Sequence, residues 1–355
     1  MSSVPPQATR SLKPGKLLQW LVALGCLAYV GHSIYALGPE KVWNTARSAD
    51  AFWLALSFAP LPARFLIWAV KWGAMLRRET AIPLKEVGLL VLVNNFLNLV
   101  TPSAKLAGGF FRGFYLAKTQ GWTMRHAYGW TLADQISMTF GNIFLFSVLG
   151  LWTGFFLETE LLNGALPYLG AVGLILLTAI FFLRPALWRI ISNATFQQKI
   201  DRWLPKRFLF DEAGEKRLWL GPLLKPTLCS GSAGQWLTIE LFLSACSFVM
   251  LCLANALVLR SLGTDSSIVL IAVILMLATF AGTILGVMGG IGVTEVFLMT
   301  LYPYAGIPPE AAAAGALLHR ASFYAVTLVL GGAAFWTQGK HLKACMAASK
   351  GEAAA

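Results

Sequence analysis

Four ionisable residues, Arg112, Asp134, Glu295 and Arg320, fall inside stretches that otherwise read as lipid-embedded helix. A charge in hydrocarbon is expensive, so such residues mark functional or pairing sites. An arginine there can hold a phosphate-type anion through parallel N–H donors. A carboxylate there needs a basic neighbour or a proton. Asp134 and Glu295 are therefore expected beside a base, with Arg112, Arg320, Arg64 and Lys105 as candidates. Arg64 follows Pro60 and Pro62, so it could satisfy carbonyls freed by the prolines or touch a substrate. His319, beside Arg320, reads as a packing residue.

The charges come with glycines. Residues 94–118 read NNFLNLVTPSAKLAGGFFRGFYLAK, placing Asn98, Lys105 and the pair Gly108 and Gly109 just ahead of Arg112. Residues 279–306 read TFAGTILGVMGGIGVTEVFLMTLYPYAG, placing Gly289 and Gly290 ahead of Glu295. Broken apolar helices in corresponding halves of a membrane protein point to a substrate site. The candidate substrate-contacting set is thus Asn98, Lys105, Gly108, Gly109, Arg112, Asp134, Gly289, Gly290, Glu295 and Arg320. Asn98 is expected to act chiefly by stabilising the first break.

These residues need a scaffold, and composition supplies its class. Hydrophobic residues make up 57% of the chain and charged ones 12%, against about a quarter charged in soluble proteins. Apolar runs of spanning length recur. The expected fold is all-α and polytopic, with full spans near 17–37, 51–76, 127–156, 166–183, 235–259 and 311–336. Two broken stretches, 87–118 and 267–305, are expected to be re-entrant helical hairpins. Residues 17–336 form one transmembrane domain between a tail at 1–16 and a tail at 337–355. The first run is long and lacks a small-residue cleavage site, so it reads as a retained anchor.

Basic residues set the sidedness. Arg10, Lys13 and Lys16 place the N-terminus in the cytoplasm, and Lys340, Lys343 and Lys350 place the C-terminus there too. The basic stretch 184–234 is also expected inside, as an aromatic-rich insertion lying in the interface. Both termini and this insertion stay inside when both broken stretches are re-entrant. The hairpins then open to opposite sides, which is an inverted repeat. The inner membrane is the expected location.

The formal charge of +12 sits in connections, where orientation and anionic lipids account for it; no nucleic-acid partner is expected. The five cysteines form no CxxC pair, and no disulfide or metal site is expected. No His–Asp or metal constellation and no Walker motif is visible, so the chain is read as a non-enzyme without cofactors.

Asn98-x3-Pro102, then Gly108-Gly109-x2-Arg112, a basic loop and Asp134 resemble the lysylphosphatidylglycerol synthase transmembrane (flippase-like) family. Gly289-Gly290-Ile291-Gly292-Val293-x-Glu295, Gly306, Ala311-Ala312 and Arg320 resemble its second half. The resemblance covers roughly 17–336 and implies lipid translocation. Implied partners are membrane lipids: an anionic phospholipid, an aminoacyl-phospholipid, or a hopanoid or polyprenyl-linked lipid. Lipid-synthesis enzymes are a further class of partner; a non-transporting role beside them is the first alternative, and an intramembrane lipid-modifying enzyme the second. Lys105 and Gly109 stand where many members carry an arginine and an acid, and the stretch after 337 is expected to hold no aminoacyl-transferase domain.

Overall fold

The computed structural model describes residues 14–101, 106–157, 164–193, 195–196, 220–229, 232, 235–285 and 290–352. Helix α1 (Pro14–Leu37) stops at Gly38, and α2 (Pro39–Arg47) starts on a proline at its first turn. The two axes meet at 88°. Asp50 accepts N–H bonds from Phe52 and Trp53 and so opens α3 (Ala51–Leu56), satisfying donors that the first turn leaves orphaned. A short turn then leads into α4 (Pro60–Leu76). Helices α5 (Leu84–Val100) and α6 (Ala107–Thr119) pack against each other as the first hairpin. Next come the long α7 (Met124–Phe156), α8 (Leu166–Ser192) and the short α9 (Leu220–Cys229).

A π-helical turn at Trp236–Phe242 leads into α10 (Leu243–Ser261). Helices α11 (Ile268–Ile284) and α12 (Val293–Leu301) pack together as the second hairpin, closed by a 3₁₀ turn at Tyr302–Ala305. Helix α13 (Pro309–Glu352) is the last described element. Five segments are long and apolar enough to cross a membrane, and the bent α1–α2 pair raises this to six if it forms one span. The protein is an all-α, polytopic membrane protein, with no strand among the described residues.

Two apolar cores divide the molecule. The first gathers Trp72, Met75, Leu90, Tyr115 and Trp130 from α4 to α7. The second gathers Phe248, Ile274, Leu298, Tyr302 and Ala312 from α10 to α13. Helix α13 belongs to both. Its Ala311–Ala316 stretch sits in the second core, and its Leu342 is buried in the first. Phe323 and Val326 touch both cores and mark the seam.

Three boundaries differ from the sequence reading. Helix α8 runs past 183 through Pro185 to Ser192. Arg184 suggested a membrane edge, but the structure buries it on the helix. Helix α13 likewise continues beyond 336, where a loose tail was expected. Buried Gln338 and Leu342, and a 2.7 Å hydrogen bond between His341 and the Tyr115 hydroxyl, hold that extension down. Within the expected interfacial insertion, α9 packs against α7 and α8; residues 197–219 lie outside the described set.

Candidate functional site

Asp134, on α7, forms the centre of a sealed ionic knot. Its carboxylate lies 2.7 Å from Lys71 Nζ and 2.6 Å from Arg112 Nη1, and all three side chains are 0% exposed. Trp68 donates its indole N–H to the same carboxylate at 3.0 Å. Lys71 also donates to the Asp134 carbonyl at 3.1 Å and to Ser137 Oγ at 2.9 Å. The Arg112 guanidinium lies 4.4 Å from the centre of the Trp72 ring, which a cation favours in a desolvated place. Lys71 and Trp68 come from α4, Arg112 from α6 and Asp134 from α7. The knot therefore ties the second arm of the first hairpin to two full-length helices.

The close approach of α5 and α6 rests on an asparagine and two glycines. Asn98 Oδ1 accepts the Gly108 N–H at 2.9 Å, so an α5 side chain caps the first turn of α6. A Cβ on Gly108 would stand 2.3 Å from the Asn94 carbonyl oxygen; only a residue without one lets the arms approach this closely. Gly109 packs in the same way against the Gln135 amide.

The second hairpin is built differently. Gly292 has φ +83° and stands against Cys26 of α1, where a Cβ would meet Cys26 Cβ at 2.9 Å. Both conditions demand glycine. Helix α12 begins immediately after it and carries Glu295 in its first turn. Glu295 accepts from Arg320 Nε at 2.9 Å, and each side chain keeps about a tenth of its surface exposed, 10% and 11%. Arg320 also donates to the Tyr324 hydroxyl.

A cleft of about 190 Å³ opens between the two halves. Asn94, Asn95 and Asn98 line it from the first hairpin, and Thr279 and Thr294 from the second. Arg64 and Trp68 of α4 and His319, Arg320 and Phe323 of α13 complete its polar and aromatic walls. Arg64 makes no hydrogen bond and no ion pair with a described residue through its guanidinium, and its Nε and Nη1 are shut off from solvent. It rests 5.6 Å from the Phe323 ring centre and 5.8 Å from that of Phe65. Trp68 is shared: its ring lines the cleft while its N–H serves the knot. Among the described residues, no three His, Cys, Asp or Glu side chains gather as a metal-binding group.

Residues 16–331 match the family described as the Lysylphosphatidylglycerol synthase TM region. The chain belongs to this family. A UPF0104 membrane protein of Methanothermobacter thermautotrophicus is 24% identical over 310 residues, covering 84% of this chain and 89% of that protein. A UPF0104 membrane protein of Methanocaldococcus jannaschii is 23% identical over 319 residues, covering 89% and 91%.

In this member of the lysylphosphatidylglycerol synthase TM region family, the sequence-derived candidates separate. Asp134 pairs with Arg112 and Glu295 with Arg320, the expected sharing of acids and bases. Of the described members of the set, Asn98 and Arg320 alone line the cleft. Gly108, Gly109, Arg112 and Asp134 are buried in the joint between helices and do not line it. Gly290 supports the second turn with φ +72°. Lys105 and Gly289 lie outside the described residues.

Sequence reasoning missed several groups. Lys71 was not among the candidate bases and is the second partner of Asp134. His319 lines the cleft although it read as packing. Glu240, 2% exposed within the π-helical turn, pairs with Arg78 at 2.9 Å. The available signal for Glu240 was its acidic character inside an apolar run. Arg64 was noticed, but its side chain bonds no proline-freed carbonyl.

Proposed function

We propose that this protein is a membrane lipid translocator, which carries a polar or anionic headgroup between leaflets while the acyl chains stay in the bilayer. The cleft between the two hairpins carries this reading. It brings five Asn and Thr side chains and two arginines together at the seam of a lipid-embedded fold. A headgroup crossing a low-dielectric region needs polar partners along its way, and such groups substitute for lost water. The volume of about 190 Å³ is smaller than the roughly 300–1,000 Å³ of pockets that engulf whole drug-sized ligands. That suits a headgroup with chains left outside. Membership of a family named for a lipid-related system is in keeping with it. In this scheme the protein is a cofactor-free translocator and not an enzyme. Asn98, Glu295 and Arg320 face or flank the moving headgroup, and the knot at Asp134 holds the first hairpin in place.

The protein sits in the inner membrane with both termini in the cytoplasm, on the charge pattern of its connections. Cysteine labelling of a cysteine-free variant should then reach positions near Glu158 and Asp265 from outside and positions near Arg207 and Lys343 only from inside. Labelling near Arg207 from outside overturns this orientation.

Translocation is tested with purified protein in proteoliposomes carrying headgroup-labelled lipids. Wild type and Lys350→Ala should move lipid equally. Glu295→Gln and Arg320→Gln should slow it about tenfold, the effect of 1.4 kcal/mol on a barrier. Equal rates in all four equally folded proteins would remove the cleft from the pathway.

A further inference from the structure

Arg64 is anomalous among the mid-span arginines. Arg112 has Asp134 and Arg320 has Glu295. Among the described residues Arg64 has no carboxylate partner and its guanidinium makes no hydrogen bond. It lies in the middle of the Ala51–Leu76 span and opens onto the cleft. Contacts with Phe65 and Phe323 offset part of the cost of keeping a cation there. They leave its N–H donors unused, and a buried donor without an acceptor is itself destabilising. The carboxamide oxygen of Asn98 is engaged by Gly108, so its amide N–H groups remain available to the cleft.

Charge then narrows the occupant. Glu295 neutralises Arg320, so of the two described arginines that line the cleft, Arg64 is the one whose charge is uncompensated by a described residue. A single negative charge with at least two acceptor oxygens in fork geometry matches a guanidinium. A headgroup of net positive charge would instead meet an unscreened like charge in a low-dielectric site.

We infer that Arg64 is the anchor for a mono-anionic phosphodiester, and that the cleft selects lipids with one negative headgroup charge over net-cationic aminoacylated ones. This rests on reading the cleft as the headgroup route and names the substrate class of that site. Arg64 contacts the phosphodiester oxygens directly, with Asn98 N–H groups as the second set of donors. Arg320 stays with Glu295 when the headgroup is bound.

The test is equilibrium binding to the full-length protein in nanodiscs of neutral lipid. The probes are short-chain phosphatidylglycerol, its lysyl ester, phosphatidylcholine and inorganic phosphate. Phosphatidylglycerol should bind at least tenfold more tightly than each of the other three. Arg64→Gln should abolish that preference, Arg64→Lys should keep part of it, and Lys41→Gln at the surface should leave it intact. Because Arg64 has no ionic partner among the described residues, its replacement strands no described opposite charge, and thermal melting checks that both variants fold. Equal or tighter binding of the lysyl ester overturns the charge selection. Inorganic phosphate binding as tightly as the lipid overturns the lipid source, and unchanged preference in Arg64→Gln overturns the anchor. The flipping assay described above reads translocation separately. Lipid movement without this preference defeats the inference alone, and binding preference without movement defeats the translocator reading alone.

Discussion

The two halves of this protein use the same pattern of residues for different ends. Each has a glycine-broken hairpin, a charge on its second arm and an opposite charge on the long helix that follows. In the first half, Asp134 is sealed between Lys71 and Arg112 with no exposed surface. In the second, Glu295 and Arg320 stay about a tenth exposed, and Arg320 faces the cleft. The first pair has an additional cation and an indole N–H, so every direction around Asp134 is filled. The second leaves one oxygen of Glu295, Oε2, without a partner among the described residues. Both oxygens of Asp134 are engaged away from the cleft, although Arg112 Nε and Nη2 lack partners among the described residues, whereas the second pair reaches the cleft through Arg320. The difference teaches that an intramembrane charge motif does not by itself mark a substrate contact.

The sharpest way to break this comparison is at the knot. Asp134→Ala leaves Lys71 and Arg112 buried without a counter-charge, and removing one partner of a buried pair costs about 3–5 kcal/mol. The variant should show the largest loss of thermal stability in detergent or should fail to accumulate. A melting temperature within a degree of wild type would contradict the sealed geometry. Trp68→Phe comes next. It keeps a ring on the cleft wall but loses the N–H donated to Asp134. A hydrogen bond to a charged group contributes about 1.5–3 kcal/mol, so denaturant unfolding should shift by that order. Flipping per folded molecule should stay near wild type if Trp68 serves the knot alone, and a clear drop would show that the wall matters to the cleft. The smallest stability effect is expected for Glu295→Gln, because the pair keeps about a tenth of its surface exposed and the new amide oxygen can still accept from Arg320. That same variant is expected to have the largest transport defect of the three. The comparison holds only if stability and transport rank these sites in opposite orders.

The helices and their breaks were legible because hydrophobic length and interruption are local properties. The bounds expected for the hairpins, 87–118 and 267–305, fall close to the observed α5–α6 and α11–α12. The need of Asp134 for a basic partner was legible too, with Arg112 one of four candidates, since a lone carboxylate in hydrocarbon must find a cation. Charge misled the reading at Arg184 and after 336, where helix continues because tertiary contacts bury it.

Residue order alone sets the class of protein: spans, hairpins, and the need for each buried charge to be answered. These follow from the cost of placing polar groups in lipid, which is the same wherever the chain folds. What only the tertiary structure decided is which charges face the cleft. Lys71 and Arg64 lie seven residues apart on one helix, in Lys71's case against Asp134 and in Arg64's case against the cleft. No spacing rule separates them, because the neighbours that fill or leave open the space around each come from helices distant in the chain. Packing of α7 closes over Lys71, while the seam between the two cores leaves Arg64 without an acidic partner among the described residues.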